Sequence, residues 1–192
     1  MGRAAAFELE KLVVGVLLSR PELKPELLGR LQQAFGPADW VSRELPFGYT
    51  HYYDAEMGGP ITRFFVSCRE MVDPARLADA KLTTNELEEE FCQPGLRPVN
   101  LDPGLLSLAR FVLASTKPRA HRVPLASGIH AEIELLHEHG SFRPVEWTYP
   151  DYRTREYLDI LGHIRGLLKA QRAGGTAPAP HDSSPRSPRG TP

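Results

Sequence analysis

Three polar stretches of the chain carry residue types able to hold or transform a small molecule. The first, YTHYYDAEMGG (Tyr49–Gly59), interleaves tyrosines with Asp54 and Glu56. A loop of that composition can line a ligand cleft, or it can anchor itself by its rings while the hydroxyls stay wet. The second, RPVNLDPGLL (Arg97–Leu106), projects Asn100 and Asp102 on one face at a strand end. There Asp102–Pro103–Gly104 reads first as turn chemistry. The third, STKPRAHR (Ser115–Arg122), offers Lys117, Arg119, His121 and Arg122 as donors for an anion.

Two further clusters have a strong structural reading. In WTYPDYR (Trp147–Arg153), Pro150 stiffens a turn, Asp151 or Thr154 caps the following helix, and Trp147 and Tyr149 pin the turn to the sheet. That leaves Arg153 without a structural task. His130, His137 and His139 alternate with Glu132, Glu134 and Glu138 along one predicted strand. A regular strand places residues 130, 132, 134 and 138 on one face, which reads as a solvated sheet face. No spacing there is that of a known metal site, and no metal ligands are assigned. The phosphate-cradling patterns G-x-x-x-x-G-K-[ST] and G-x-G-x-x-G after a strand are absent, as is a G-x-S-x-G nucleophile turn.

The elements that would position these clusters follow from hydrophobic periodicity. Lys11–Leu18 is a near-continuous apolar run suited to a central strand. Leu27, Leu28, Leu31 and Phe35 share a face of a helix over Pro25–Phe35, stopped by Gly36–Pro37. Trp40–Phe47 and Ile61–Glu70 read as strands. In the latter, Thr62, Phe64, Val66 and Cys68 alternate against Arg63, Ser67 and Arg69, with Phe65 breaking the pattern. Asp73–Pro74 starts a helix reaching to about Phe91, and Arg97–Leu101 supplies another strand. The order β-α-β-β-α-β is the split pattern of ferredoxin-like sandwiches. Leu105, Leu106, Leu108, Ala109, Val112 and Leu113 follow helical spacing, although RFVLAST (Arg110–Thr116) taken alone also reads as a strand. His121–Leu125, Ile129–His137 and Phe142–Trp147 form a β-meander with turns at Ser127–Gly128 and His139–Gly140. A last helix spans Thr154–Arg172. The expected fold class is α+β: a mostly antiparallel sheet covered by helices, with a ferredoxin-like start, a β-meander and a C-terminal helix.

The 192 residues, 41% hydrophobic and 24% charged, suit one folded domain, expected over residues 1–172. A formal net charge of −1 gives no global field for nucleic acid or anionic membrane, so no dedicated nucleic-acid binding is expected. The apolar run Leu12–Leu18 is too short for a membrane span, and Glu8, Glu10 and Lys11 precede it where a secretory leader needs a basic flank. A cytoplasmic protein is expected. From Ala173 to Pro192 the chain is Gly, Ala, Pro and Ser with almost no apolar bulk, which predicts a disordered tail.

FGYTHYYDAEMG, KLTTNELEEEF, VNLDPGLLSLARFVLASTKPRAHRVPL, GIHAEIEL and WTYPDYRTREYL resemble, in order, successive blocks of a prokaryotic domain-of-unknown-function family often labelled "GTP-binding protein". The resemblance spans about Lys11–Lys169. It implies motif positions at Tyr52, Tyr53 and Glu56; at Lys81, Thr84, Asn85 and Glu86; at Asn100 and Asp102; at Lys117, His121, Arg122 and Glu132; and at Tyr149, Asp151, Tyr152 and Arg153. The chain departs from the pattern at Pro118–Arg119, Pro124 and His130. The guanine clamp Asn-Lys-x-Asp of P-loop switches is also missing, so a bound nucleotide would need a different fold to hold it.

Two functional readings follow. In one, the protein handles a small anionic or nucleotide-like ligand in a polar cleft. Lys117, His121 and Arg153 take the anion, and Tyr52 and Asn100 add ligand contacts. Asp102, Glu132 and Asp151 orient the ligand, hold a divalent metal, or serve as acid and base, and with His121 they are the catalytic candidates. No cofactor is identified. In the other, the chain is a non-enzymatic adaptor for a protein partner, with no ligand pocket and these side chains scattered.

Overall fold

Nine successive residues, EKLVVGVLL, form strand β1 (Glu10–Leu18), and all nine are buried. Such a strand needs partners on both edges and cover on both faces. In the computed structural model, which describes residues 2–50 and 53–174, both needs are met. Strands β4 (Ile61–Val72) and β5 (Val99–Leu106) flank β1, antiparallel on either side. The short strands β2 (Ala38–Val41) and β3 (Leu45–Phe47) share the outer edge of β4. Beyond β5 lie β6 (Arg110–Ser115), β8 (His130–Glu138) and the two-residue β7 (Val123–Pro124), with β9 (Ser141–Pro144) paired to β8.

The order β2-β4-β1-β5, with crossovers through helices α1 (Lys24–Phe35) and α3 (Leu77–Glu90), is the ferredoxin-like arrangement. Strands β6, β8 and β7 extend it into one antiparallel sheet. A four-residue helix, α2 (Asp54–Met57), lies in the loop between β3 and β4. On one face, Val14, Val16 and Leu18 pack against Leu27 and Leu31 of α1, Leu87 of α3 and Phe91 just after it. On the other, Val13, Phe65 and Phe111 pack against Tyr157, Leu161, Ile164 and Leu168 of α4 (Arg155–Arg172). The Asp73 carboxylate accepts from Ala75 N ahead of α3, and the Thr154 hydroxyl caps α4 by accepting from Tyr157 N. No helix among the described residues is long and apolar enough to cross a membrane.

Several expected elements differ in extent. The run Leu105–Leu113 is not a helix: it is the β5–β6 hairpin, turned at Ser107, whose Oγ accepts from the backbone of Ala109 and Arg110. Strands covered on both faces have continuous apolar runs, and two of these around a short turn mimic helical spacing. The Arg97–Leu101 strand is Val99–Leu106 and runs straight through Pro103, so Asp102–Pro103–Gly104 is strand and not turn. Trp40–Phe47 breaks into two strands around Ser42. His121–Leu125 shrinks to two residues, and Phe142–Trp147 ends at Pro144. The two predicted meander turns are present, with positive φ at Ser127, Gly128, His139 and Gly140. Helix α4 stops at Arg172, and all but the first two residues of the Ala173–Pro192 segment lie outside the described residues.

Candidate functional site

The site begins at an interruption in the sheet. Strands β5 and β6 pair only over Gly104–Leu106 against Phe111–Leu113. The next residue, Pro103, has no N–H with which to continue the ladder. From there the strands part, and α3 supplies side chains to the freed edge of β5. Leu101 N donates to Glu88 Oε1 at 2.7 Å, and Leu101 O accepts from Lys81 Nζ at 2.7 Å. Both side chains are buried, where an unmet backbone group would cost about 1–3 kcal/mol. Arg97 Nη1 adds a 2.7 Å bond to Glu88 Oε2. Burial raises the Glu88 pKa, opposed by Lys81 and by the Leu101 amide. Between the parted strands lies a cleft of about 790 Å³, within the usual size of small-ligand sites.

Its floor is built on Gly15 of β1. Asp102 of β5 lies directly across from Gly15 in the register. Arg63 of β4 reaches over the missing side chain: a Cβ at Gly15 would stand 2.8 Å from Arg63 Nη1 and 3.1 Å from the Tyr152 hydroxyl. Arg63, only 3% exposed, donates from Nη1 to Asp102 Oδ2 at 3.0 Å, and its Nη2 lies 3.5 Å from Asp151 Oδ2. Burial works against its charge, but the Tyr152, Asp102 and Asp151 oxygens outweigh burial and raise its pKa. For Asp102 burial is likewise outweighed, by Arg63 and Lys81, and its pKa falls. Asp151 is less well compensated, so burial raises it. The aromatic rings of Phe47, Tyr53 and Tyr49 stand beside the guanidinium as a further wall, with Arg63 Cζ 5.5 Å from the Phe47 centroid.

The opposite wall belongs to β8 and the segment after β9. Glu132, buried on β8, receives Arg122 in a two-pronged pair at 3.0 Å and lies 2.9 Å from His121 Nε2. The His121 ring stacks on Trp147 with centroids 5.1 Å apart and planes 11° off parallel. Arg122 also donates to the Tyr149 hydroxyl at 2.6 Å and to Lys117 O at 2.6 Å, tying the 115–122 loop to the wall. A register shift in the β6–β8 ladder leaves Glu134 unpaired between Ile133 and Leu135. Its side chain turns inward, where Oε1 accepts from Tyr149 N at 2.6 Å. Burial pushes Glu134 up to about 8, eased by the Tyr149 amide and reinforced by Glu132.

The expected solvated face of β8 is therefore corrected at two positions. Glu132 and Glu134 are 3% and 0% exposed, whereas Ile133 between them is 39% exposed. The face is covered by the 145–153 segment, held by Trp147 Nε1 to Ile133 O and Thr148 Oγ1 to Glu134 O. Among the described residues no group of three or more His, Cys, Asp and Glu could hold a metal ion.

The structure brings Asn100, Asp102, Lys117, His121, Glu132 and Asp151 to this one cleft. It does not bring Arg153, whose guanidinium instead donates to the carbonyls of Val145, Glu146 and Thr148 and holds the turn. Asp151 and Arg153 make no pair with each other. Tyr52 lies outside the described residues. Sequence reasoning missed Arg63 as a cleft residue, placing it on a polar strand face. The signal was Phe65, which shares that face and shows it to be covered. Glu88 carries no such signal: it sits in the acidic run Glu86–Glu90, and only its packing against β5 sets it apart from its exposed neighbours Glu86, Glu89 and Glu90.

No curated protein matches the chain. No solved structure matches it either. The model of the family described as "Domain of unknown function (DUF4416)" matches residues 8–167, which takes in the sheet, all four helices up to the last turns of α4, and every wall of the cleft. The chain belongs to that family.

Proposed function

We propose that the protein binds a small anionic, nucleotide-like ligand in the cleft between β5 and β6. The observation that carries this reading is convergence: Asp102, Lys117, His121 and Asp151, spread over fifty residues of chain, line one concavity. An adaptor module needs no such concavity, and nothing in its reading calls for a buried guanidinium flanked by two carboxylates. Lys117 and Arg119, both exposed at the mouth, give the anion its positive rim. The Phe47, Tyr49 and Tyr53 rings and the His121–Trp147 stack provide flat apolar faces for a ring system. His121, oriented by Glu132, is the group best placed for proton transfer.

The test is a thermal-shift and calorimetric screen of nucleoside mono-, di- and triphosphates, with and without magnesium. Saturable binding weakened about tenfold or more in Lys117→Ala and His121→Ala supports the reading. Absence of binding by every nucleotide, or binding that both variants leave unchanged, overturns it.

A further inference from the structure

Within that ligand reading, on which this step rests, the two ends of the cleft differ in chemistry. The mouth carries the cations of the 115–122 loop. The floor sets one guanidinium, Arg63, between two carboxylates, Asp102 and Asp151. A second phosphate or carboxylate would be repelled there, because two acids face one base. An ammonium would have to take the carboxylates from Arg63, which already pairs with both. A hydroxyl fits both neighbours, since it donates to a carboxylate and accepts from a guanidinium at once.

Two buried polar atoms of the floor are also left over, Arg63 Nε and the Tyr152 hydroxyl. Tyr152 is 2% exposed and lines the cleft, yet its hydroxyl has no hydrogen-bond partner among the described residues. A buried hydroxyl without a partner costs free energy that a ligand atom can recover. It sits with Arg63 Nη1 over Gly15, where any Cβ would intrude on both. Burial drives the Tyr152 pKa well above its ordinary value, so the group stays an O–H donor at neutral pH.

We infer that the floor formed by Arg63, Asp102, Asp151 and Tyr152 recognises neighbouring sugar hydroxyls, so that the ligand is a phosphorylated ribose compound inserted sugar-first, with its phosphate at the Lys117 rim. The sugar is read by groups that both give and take hydrogen bonds, and its anion is held where solvent remains. Tyr152→Phe is the cleanest probe, because it keeps the packed ring and removes only an atom that has no partner in the unliganded fold.

Calorimetry would compare adenosine and guanosine 5′-monophosphates with their 2′-deoxy forms, the free nucleosides and inorganic phosphate. The ribonucleotides are expected to bind at least tenfold tighter than the deoxy forms, and this ratio should collapse toward one in Tyr152→Phe. Lys117→Ala should weaken ribo and deoxy forms by the same factor and leave their ratio intact. Equal affinity for ribo and deoxy forms, both still weakened by Lys117→Ala, overturns the sugar assignment and leaves the anion site standing. A ratio that survives in Tyr152→Phe places the hydroxyl contacts elsewhere and also overturns it. No binding by any of these probes removes both.

Discussion

Two cations are buried on the same face of the same sheet, and they have opposite surroundings. Lys11, on β1, is fully buried with Nζ 2.6 Å from Asp39 Oδ2 and 2.6 Å from Gln171 Oε1 near the end of α4. Neither partner of that ion pair lines the cleft. Arg63 is nearly as buried, but it faces two carboxylates and an unpartnered tyrosine hydroxyl where β5 and β6 separate. The contrast shows that charge burial alone does not mark a binding site. Lys11 is closed over by the C-terminal helix, which makes its pair a structural fixture. Arg63 lies beside an interruption that Pro103 imposes on the sheet, and the same kind of group lines an open cleft.

The largest effect expected from this comparison is on stability. Arg63→Leu leaves buried Asp151 and half-buried Asp102 without their cation, and Lys11→Met strands Asp39, so each should lose about 3–5 kcal/mol, with Arg63→Leu the more damaged. Urea unfolding checks the order. Replacing both partners of the sealed pair, Lys11→Met with Asp39→Leu, should recover most of the loss and leave ligand binding intact. If that double variant loses binding, the two regions are not as separate as drawn.

A smaller effect is expected at the glycine that makes room for the floor. Gly15→Ala should cost about 1–3 kcal/mol through overpacking against Arg63 and Tyr152, and should abolish binding. Gly29→Ala in α1, where an added Cβ meets nothing within 4 Å, should instead gain about 0.4–1 kcal/mol and leave binding unchanged. Equal responses at the two glycines would break the link between Gly15 and the site.

The third expectation concerns pH. Burial raises the folded pKa of Glu134 to about 8 from its ordinary value of 4.5. Between those values the folded state holds a proton that the unfolded state has released. Stability therefore falls as pH rises from about 4.5 to 8, and the penalty is complete above 8. Glu134→Gln keeps the acceptor for Tyr149 N and carries no charge. It should flatten that slope and stabilise the protein more at pH 8 than at pH 5, by about 1–3 kcal/mol. Denaturant midpoints across that range provide the measurement, and an unchanged slope would contradict the assignment.

Much of the fold can be read from the chain because many of its elements obey simple periods. β1 is continuously apolar, α1 and α4 carry one apolar face each, and Asp73 and Thr154 announce helix starts. The β5–β6 hairpin mimics a helix in the sequence because Leu105, Leu108 and Val112 fall at spacings shared by a helix and by two strands around Ser107. The mouth of the cleft was legible, since Lys117 and His121 are polar types in a loop. So were the carboxylates at β5 and after Pro150. Arg63 on the floor and Glu132 and Glu134 on the far wall were not. Whether Arg63 is solvated depends on cover from α4, and whether Glu132 and Glu134 are depends on a β-bulge and on the 145–153 segment. Arg153 shows the converse: a charged residue in a promising cluster was drawn off by three backbone carbonyls.

Trp147 offers the most direct test of the cleft as a ligand site. The chain has two tryptophans, Trp40 and Trp147, and only Trp147 lines the cleft, stacked on His121. In a Trp40→Phe background, titration with a nucleoside 5′-monophosphate should change Trp147 fluorescence saturably, with a midpoint equal to the calorimetric Kd. The same change should shift to higher concentration in Lys117→Ala. Calorimetric binding with silent Trp147 fluorescence and no Lys117 dependence would place the ligand elsewhere and contradict the account.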